Sequence, residues 1–141
     1  MEFVCDAPDG KTWFRIETEG EAIAESDAMS HAVEKHFRQA QERAAATYKP
    51  LSPVSFEQNI GLAGHIRREM PMFLTLRDGE GTALVTAMLP ASGQRDPSFR
   101  PIVVASANRD PYPEHAAAIE CLGRHFGLVL ERTRCFPYAR S

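Results

Sequence analysis

The run NRDPYPEHAA, residues 108–117, brings Arg109, Asp110, Glu114 and His115 together in one short stretch. An arginine fork matches carboxylate and phosphate geometry, and a histidine changes charge near neutral pH. With Arg95 and Arg100 from the preceding QRDPSFRP segment, these residues form a candidate site for an anionic small molecule. In that site Arg95, Arg100, Arg109 and Asp110 bind, and His115 acts as acid or base.

The same letters also spell the entrance of a helix. Asp110 is placed to cap it, Pro113 suits its first turn, and Glu114 faces the positive end of the helix dipole. Asp110 and Glu114 thus supply the negative charge internally, and Arg109 balances Asp110. On a helical wheel His115 shares the apolar stripe with Ile119, Leu122 and Phe126, which predicts a desolvated imidazole with a lowered pKa. The two arginine-bearing segments flank the strand expected at residues 102–107, one at each end, and a straight strand keeps them apart.

Other chemistry is sparse. Cys121 and His125 stand four apart on one helix face, enough for half a metal site, and two ligands do not make a zinc centre. The three cysteines are odd in number, and no two form a Cys-x-x-Cys pair, so neither a disulfide framework nor a zinc knuckle is predicted. Gly61-Leu62-Ala63-Gly64 has the spacing of a backbone-clamping loop. It carries apolar residues where phosphate contact calls for polar or basic ones. Nucleotide-binding glycine motifs, Gly-x-Ser-x-Gly and His-Glu-x-x-His are absent. No cofactor and no metal are expected.

The elements that must position these residues follow from periodicity. Residues 3–17 read as a hairpin about Pro8-Asp9-Gly10, with Phe3 and Cys5 on one side and Val4 on the other. Thr18-x-x-Glu21 has capping-box spacing. A long helix is predicted from Glu19 to Thr47, with Ala22, Ser26, Met29, Val33, Phe37, Ala40 and Ala44 along its buried stripe. His31, Glu34 and Arg38 fall on its far side. The prolines of YKPLSP end the helix. Strands are predicted at 54–60, 72–76, 82–89, 102–107 and 128–133, the second and third joined by Asp78-Gly79-Glu80-Gly81. Residues 61–70 are ambiguous, and 90–101 read as a loop. A second helix runs from Glu114 to Phe126 and stops at Gly127.

Residues 1–141 therefore read as a single α+β domain. It holds a mostly antiparallel sheet with an N-terminal hairpin, and one long and one shorter helix packed on one face. The chain has 141 residues, 43% of them hydrophobic and 25% charged, with a net charge of -3. That balance argues against nucleic acid as partner. The N-terminus carries acids where a signal peptide needs bases, and no apolar run approaches a membrane span, so a bacterial-type cytoplasm is expected and no membrane. The strands ALVTAML and IVVASA are apolar on both sides of the pleat. If both helices cover one face, a second copy must cover the other, which predicts a homodimer. The leading expectation is a non-enzymatic, dimeric binding or regulatory module with a small-molecule or protein ligand. The alternative is a small enzyme using His115, with Arg109 or Arg100 holding the anion.

Overall fold

Local turn chemistry starts the sheet. The computed structural model describes residues 1–49, 61–91 and 99–135. Strands β1 (Glu2–Ala7) and β2 (Lys11–Ile16) pair as the expected hairpin. Asp9 and Gly10 both take positive φ, 63° and 72°, a conformation open to Asp and Gly at low cost. The β3–β4 hairpin (Met72–Arg77 and Ala83–Leu89) turns on Asp78, whose Oδ1 accepts from the backbone N–H of Glu80 and of Thr82, both at 2.9 Å. With β5 (Ile102–Ala105), the five strands form an antiparallel sheet in the order β1-β2-β3-β4-β5, and the chain is of the α+β class. The strand expected at 54–60 and the loop at 92–98 lie outside the described residues.

The predicted long helix is two helices, α1 (Glu19–Met29) and α2 (Val33–Ala46). Its start is as expected: Thr18 Oγ1 accepts from the Glu21 N–H at 3.1 Å, and Glu21 Oε1 accepts from the Thr18 N–H at 3.1 Å. The break comes at Ser30, which is left-handed with φ 53°. Ser26 Oγ accepts from the Glu34 N–H at 3.0 Å, satisfying a donor in the first turn of α2 that Ala32 has no side chain to cap. The buried stripe survives the break, because Ala22, Ser26, Met29, Val33, Phe37 and Ala44 are all buried. Residues 61–69 resolve as helix α3 (Gly61–Glu69).

Helix α4 (Tyr112–Phe126) ends as predicted at Gly127, with φ 69°. The Leu128 N–H then donates to Gly123 O at 2.8 Å, and the Gly127 N–H to Arg124 O at 3.3 Å, a Schellman closure. This closure folds the chain back over its own helix so tightly that a Cβ on Gly123 would lie 2.7 Å from Leu128 O. The segment 128–133 therefore makes no strand. Leu130 drops into the core, its carbonyl accepts from the Tyr112 hydroxyl at 2.9 Å, and Arg132–Arg134 form a single 3-10 turn.

Strand register assigns the two sheet faces. Trp13 pairs with Leu76, Leu76 with Val85, and Ala87 with Val103, and this face packs on Ala118, Ile119 and Leu122 of α4. Phe73, on the opposite face, packs with Ile16 of the same face against Ala22, Val33 and Phe37 of α1 and α2. The helices thus lie on both faces, not one. The strands are apolar on both sides because the chain's own helices cover both, and the physical reason for expecting a homodimer disappears. Among the described residues, no helix is long and apolar enough to cross a membrane.

Candidate functional site

The residues singled out from sequence are dispersed among separate small contacts. Asp110 does not cap α4, whose N-cap is Pro111 without a side-chain cap bond; it forms a turn just before the helix, Oδ1 accepting from the Tyr112 N–H at 3.0 Å, while Oδ2 pairs with Arg132 Nε at 2.9 Å. Its ion-pair partner is therefore Arg132, and Arg109 instead donates from Nε to Ser106 O at 3.0 Å. Arg100 is exposed, and Arg95 lies outside the described residues. His115 faces Lys11, with Nζ 3.3 Å from Nδ1, and its Nε2 is 3.8 Å from Glu114. Burial and the Lys11 ammonium both hold its pKa below the ordinary value. Cys121 turns its thiol to Asp6 O at 3.1 Å, and the His125 ring meets Phe126 edge-on. Among the described residues, no group of three or more His, Cys, Asp or Glu side chains is placed to hold a metal.

The structure converges its polar groups elsewhere, on the face covered by α1. Glu25 is fully buried and pairs with Arg77 Nη2 at 2.7 Å. The guanidinium is fixed on its other sides, donating from Nε to Thr75 Oγ1 and from Nη1 to Gly81 O, both at 3.1 Å. Glu25 Oε2 accepts from the Thr86 hydroxyl at 2.5 Å, and Thr86 Oγ1 lies 2.9 Å from His31 Nε2. Because a hydroxyl has one proton, and Thr86 gives it to Glu25, the Thr86 oxygen must accept from a protonated Nε2. A continuous chain Arg77–Glu25–Thr86–His31 results, which fixes the imidazole tautomer. Its Nδ1 is buried without a hydrogen-bond partner among the described residues.

This chain underlies a cavity of about 390 Å³ between the α1–α2 junction and strands β4 and β5. Val33, Phe73, Met88, Ile102 and Val104 supply apolar walls, and His31, His36, Thr86 and Asn108 supply the polar part. The left-handed break at Ser30 is what swings His31 inward, off the far side where an unbroken helix places it. At the β5 end, Ala107 and Asn108 both take positive φ, 56° and 59°, and Asn108 reaches the cavity wall. Ala107 has no polar side chain to ease that conformation, so its backbone is strained there.

The Thr86 hydroxyl has its proton committed to Glu25 and a lone pair committed to His31, so it is not poised as a nucleophile. A cavity with apolar walls and a few fixed polar groups is the usual form of a small-molecule site.

Burial pushes the His31 imidazole below its ordinary value of 6.5, against the opposing pull of the Glu25 and Glu34 carboxylates. As pH falls, the unfolded chain therefore takes up this proton before the folded one does. Stability from His31 is fully present above pH about 6.5 and declines below it until the folded-state value is passed. His115, shifted the same way, adds to the decline. The urea midpoint is expected to fall between about pH 7 and pH 5, and His31→Gln to fall less steeply. Parallel profiles for the two proteins would remove His31 as a contributor.

Sequence reasoning missed Glu25, Thr86, Arg77 and His31. The available signal was Glu25 on the stripe of Ala22, Ser26 and Met29, a carboxylate on a face otherwise meant for burial. Thr86 gave none, because threonine suits any strand.

Comparison with known proteins adds one partial likeness. The chain is 32% identical over 111 residues to the chaperone protein HtpG of Paraburkholderia xenovorans strain LB400, covering 73% of this chain and 17% of that protein. The chain thus spans less than a fifth of that relative's length. No family model matches, and no solved structure matches.

Proposed function

We propose that this chain is a non-enzymatic binding module that takes a small, mostly apolar molecule into the cavity beside His31 and Thr86. The observation that carries the reading is an apolar cavity of about 390 Å³ set on a buried, fully directed hydrogen-bond chain. Apolar walls contribute affinity by burying the ligand's surface, and the few polar groups fix its orientation. The module works as a single copy, since its own helices cover both sheet faces, and sedimentation at micromolar concentration is the check on that clause. Its placement in a bacterial cytoplasm belongs to the same proposal and rests on composition.

The test is an NMR screen of the 15N-labelled chain against apolar fragments that each carry one hydroxyl or amide. Binders are expected to shift the amides of Val33, Met88 and Val104, and Ile102→Trp, which fills the cavity, is expected to abolish those shifts. Shifts that cluster around Lys11, Arg109 and His115 would instead favour the anion-binding enzyme.

The likeness to part of a chaperone protein favours a second reading, in which the occupant is an apolar side chain of another polypeptide. Titration with a permanently unfolded polypeptide separates the two: it shifts the same amides under the second reading and leaves them unmoved under the first.

A further inference from the structure

A feature away from the cavity concerns two of the three cysteines. Sequence alternation puts Phe3 and Cys5 on one side of β1, but the strand carries a bulge between them. Phe3 pairs with Phe14 and Cys5 with Trp13, so the two residues lie on opposite faces. The extra residue turns Cys5 to the Trp13 face, the one covered by α4. Trp13 Nε1 donates to Ala118 O at 2.9 Å, and Cys121 sits almost one helical turn further along the same helix face. The Cys121 thiol reaches Asp6 O, next in chain to Cys5, at 3.1 Å. Cys5 packs against the core that α4 covers, so both thiols lie in the seam between β1 and α4.

We propose that Cys5 and Cys121 form a disulfide when the protein meets a low-molecular-weight disulfide, stapling edge strand β1 to α4. Burial and the neighbouring Cys121 push the Cys5 thiol up to about 11, so Cys5 stays protonated and Cys121 is the attacking group. The Cys121 thiolate attacks one sulfur of the small disulfide, breaking its S–S bond and releasing one thiolate. Cys5 then gives its proton to solvent and attacks the Cys121 sulfur of the mixed disulfide, expelling the second thiolate. Two protein thiols are oxidised and one small disulfide is reduced to two thiols. Cys135 takes no part, because it is fully buried beneath the α4 face.

The staple joins segments far apart in the chain, so it constrains the unfolded state strongly. It also ties down β1, which among the described residues is an edge strand with a single neighbour in the sheet.

The experiment treats the full chain with excess oxidised glutathione under native conditions, blocks free thiols by alkylation, and maps tryptic peptides. Met1–Lys11 is expected linked to Asp110–Arg124, with an intact mass lower by two hydrogens and a melting temperature raised by several degrees. Cys5→Ser is expected to leave a lasting glutathione adduct on Cys121. The proposal is overturned if the unsubstituted chain keeps that adduct without the link, if both thiols remain free, or if the link joins Cys135 or two molecules.

Discussion

Replacing Glu25 by alanine is expected to lower the unfolding free energy by about 3–5 kcal/mol, the usual cost of removing one member of a buried ion pair. The Arg77 guanidinium loses its only carboxylate partner among the described residues, and its side chain is 19% exposed, too little for water to compensate in full. Thr86 loses the acceptor of its proton, and with it the reason for His31 to hold Nε2 toward the sheet. Urea denaturation followed by the fluorescence of Trp13, the chain's single tryptophan, measures the loss. A double variant, Glu25→Ala with Arg77→Leu, is expected to recover part of it, because the unpaired buried cation is removed as well. A loss below about 1 kcal/mol for the single variant would mean that water enters and replaces the carboxylate. The same variant is expected to weaken fragment binding in the cavity, since the imidazole is then no longer held in one tautomer.

Trp13→Ala is expected to cost about 3–5 kcal/mol, the range for deleting a buried aromatic. Trp13 is fully buried, packs with Leu76 and Ile119, and joins β2 to α4 through the Nε1 bond to Ala118 O. Circular dichroism replaces fluorescence as the readout, and amide exchange is expected to quicken in α4 more than in α2. Trp13→Phe keeps most of the ring's contacts and is expected to cost less than half as much. Equal exchange in the two helices would show that Trp13 supports the sheet alone and not the α4 layer.

Features that depend on neighbours in sequence were legible. The Thr18–Glu21 capping box, the Pro8-Asp9-Gly10 and Asp78–Gly81 turns and the Gly127 stop each involve groups a few residues apart. Their energetics are settled within that span, so residue types suffice to read them. The buried stripe of Ala22 to Ala44 was legible for a related reason: helical period decides which residues share a face even when the helix breaks. The candidate site was not legible. His31 was assigned to the solvent side of an unbroken helix, and the break at Ser30 depends on Ser26 reaching forward to the Glu34 N–H, a contact no periodicity encodes.

The amino-acid sequence by itself determined the α+β class, the antiparallel hairpins, the start of α1, the end of α4 and the apolar stripe of the first helices, because these follow from backbone preference and the pattern of apolar residues. Only the tertiary structure decided which element covers which sheet face, how a one-residue bulge turns Cys5 toward α4, and how Arg77, Glu25, Thr86 and His31 come into line. Those outcomes depend on packing between segments tens of residues apart. There, shape and the need to satisfy every buried polar group select one arrangement from many that the local pattern allows equally.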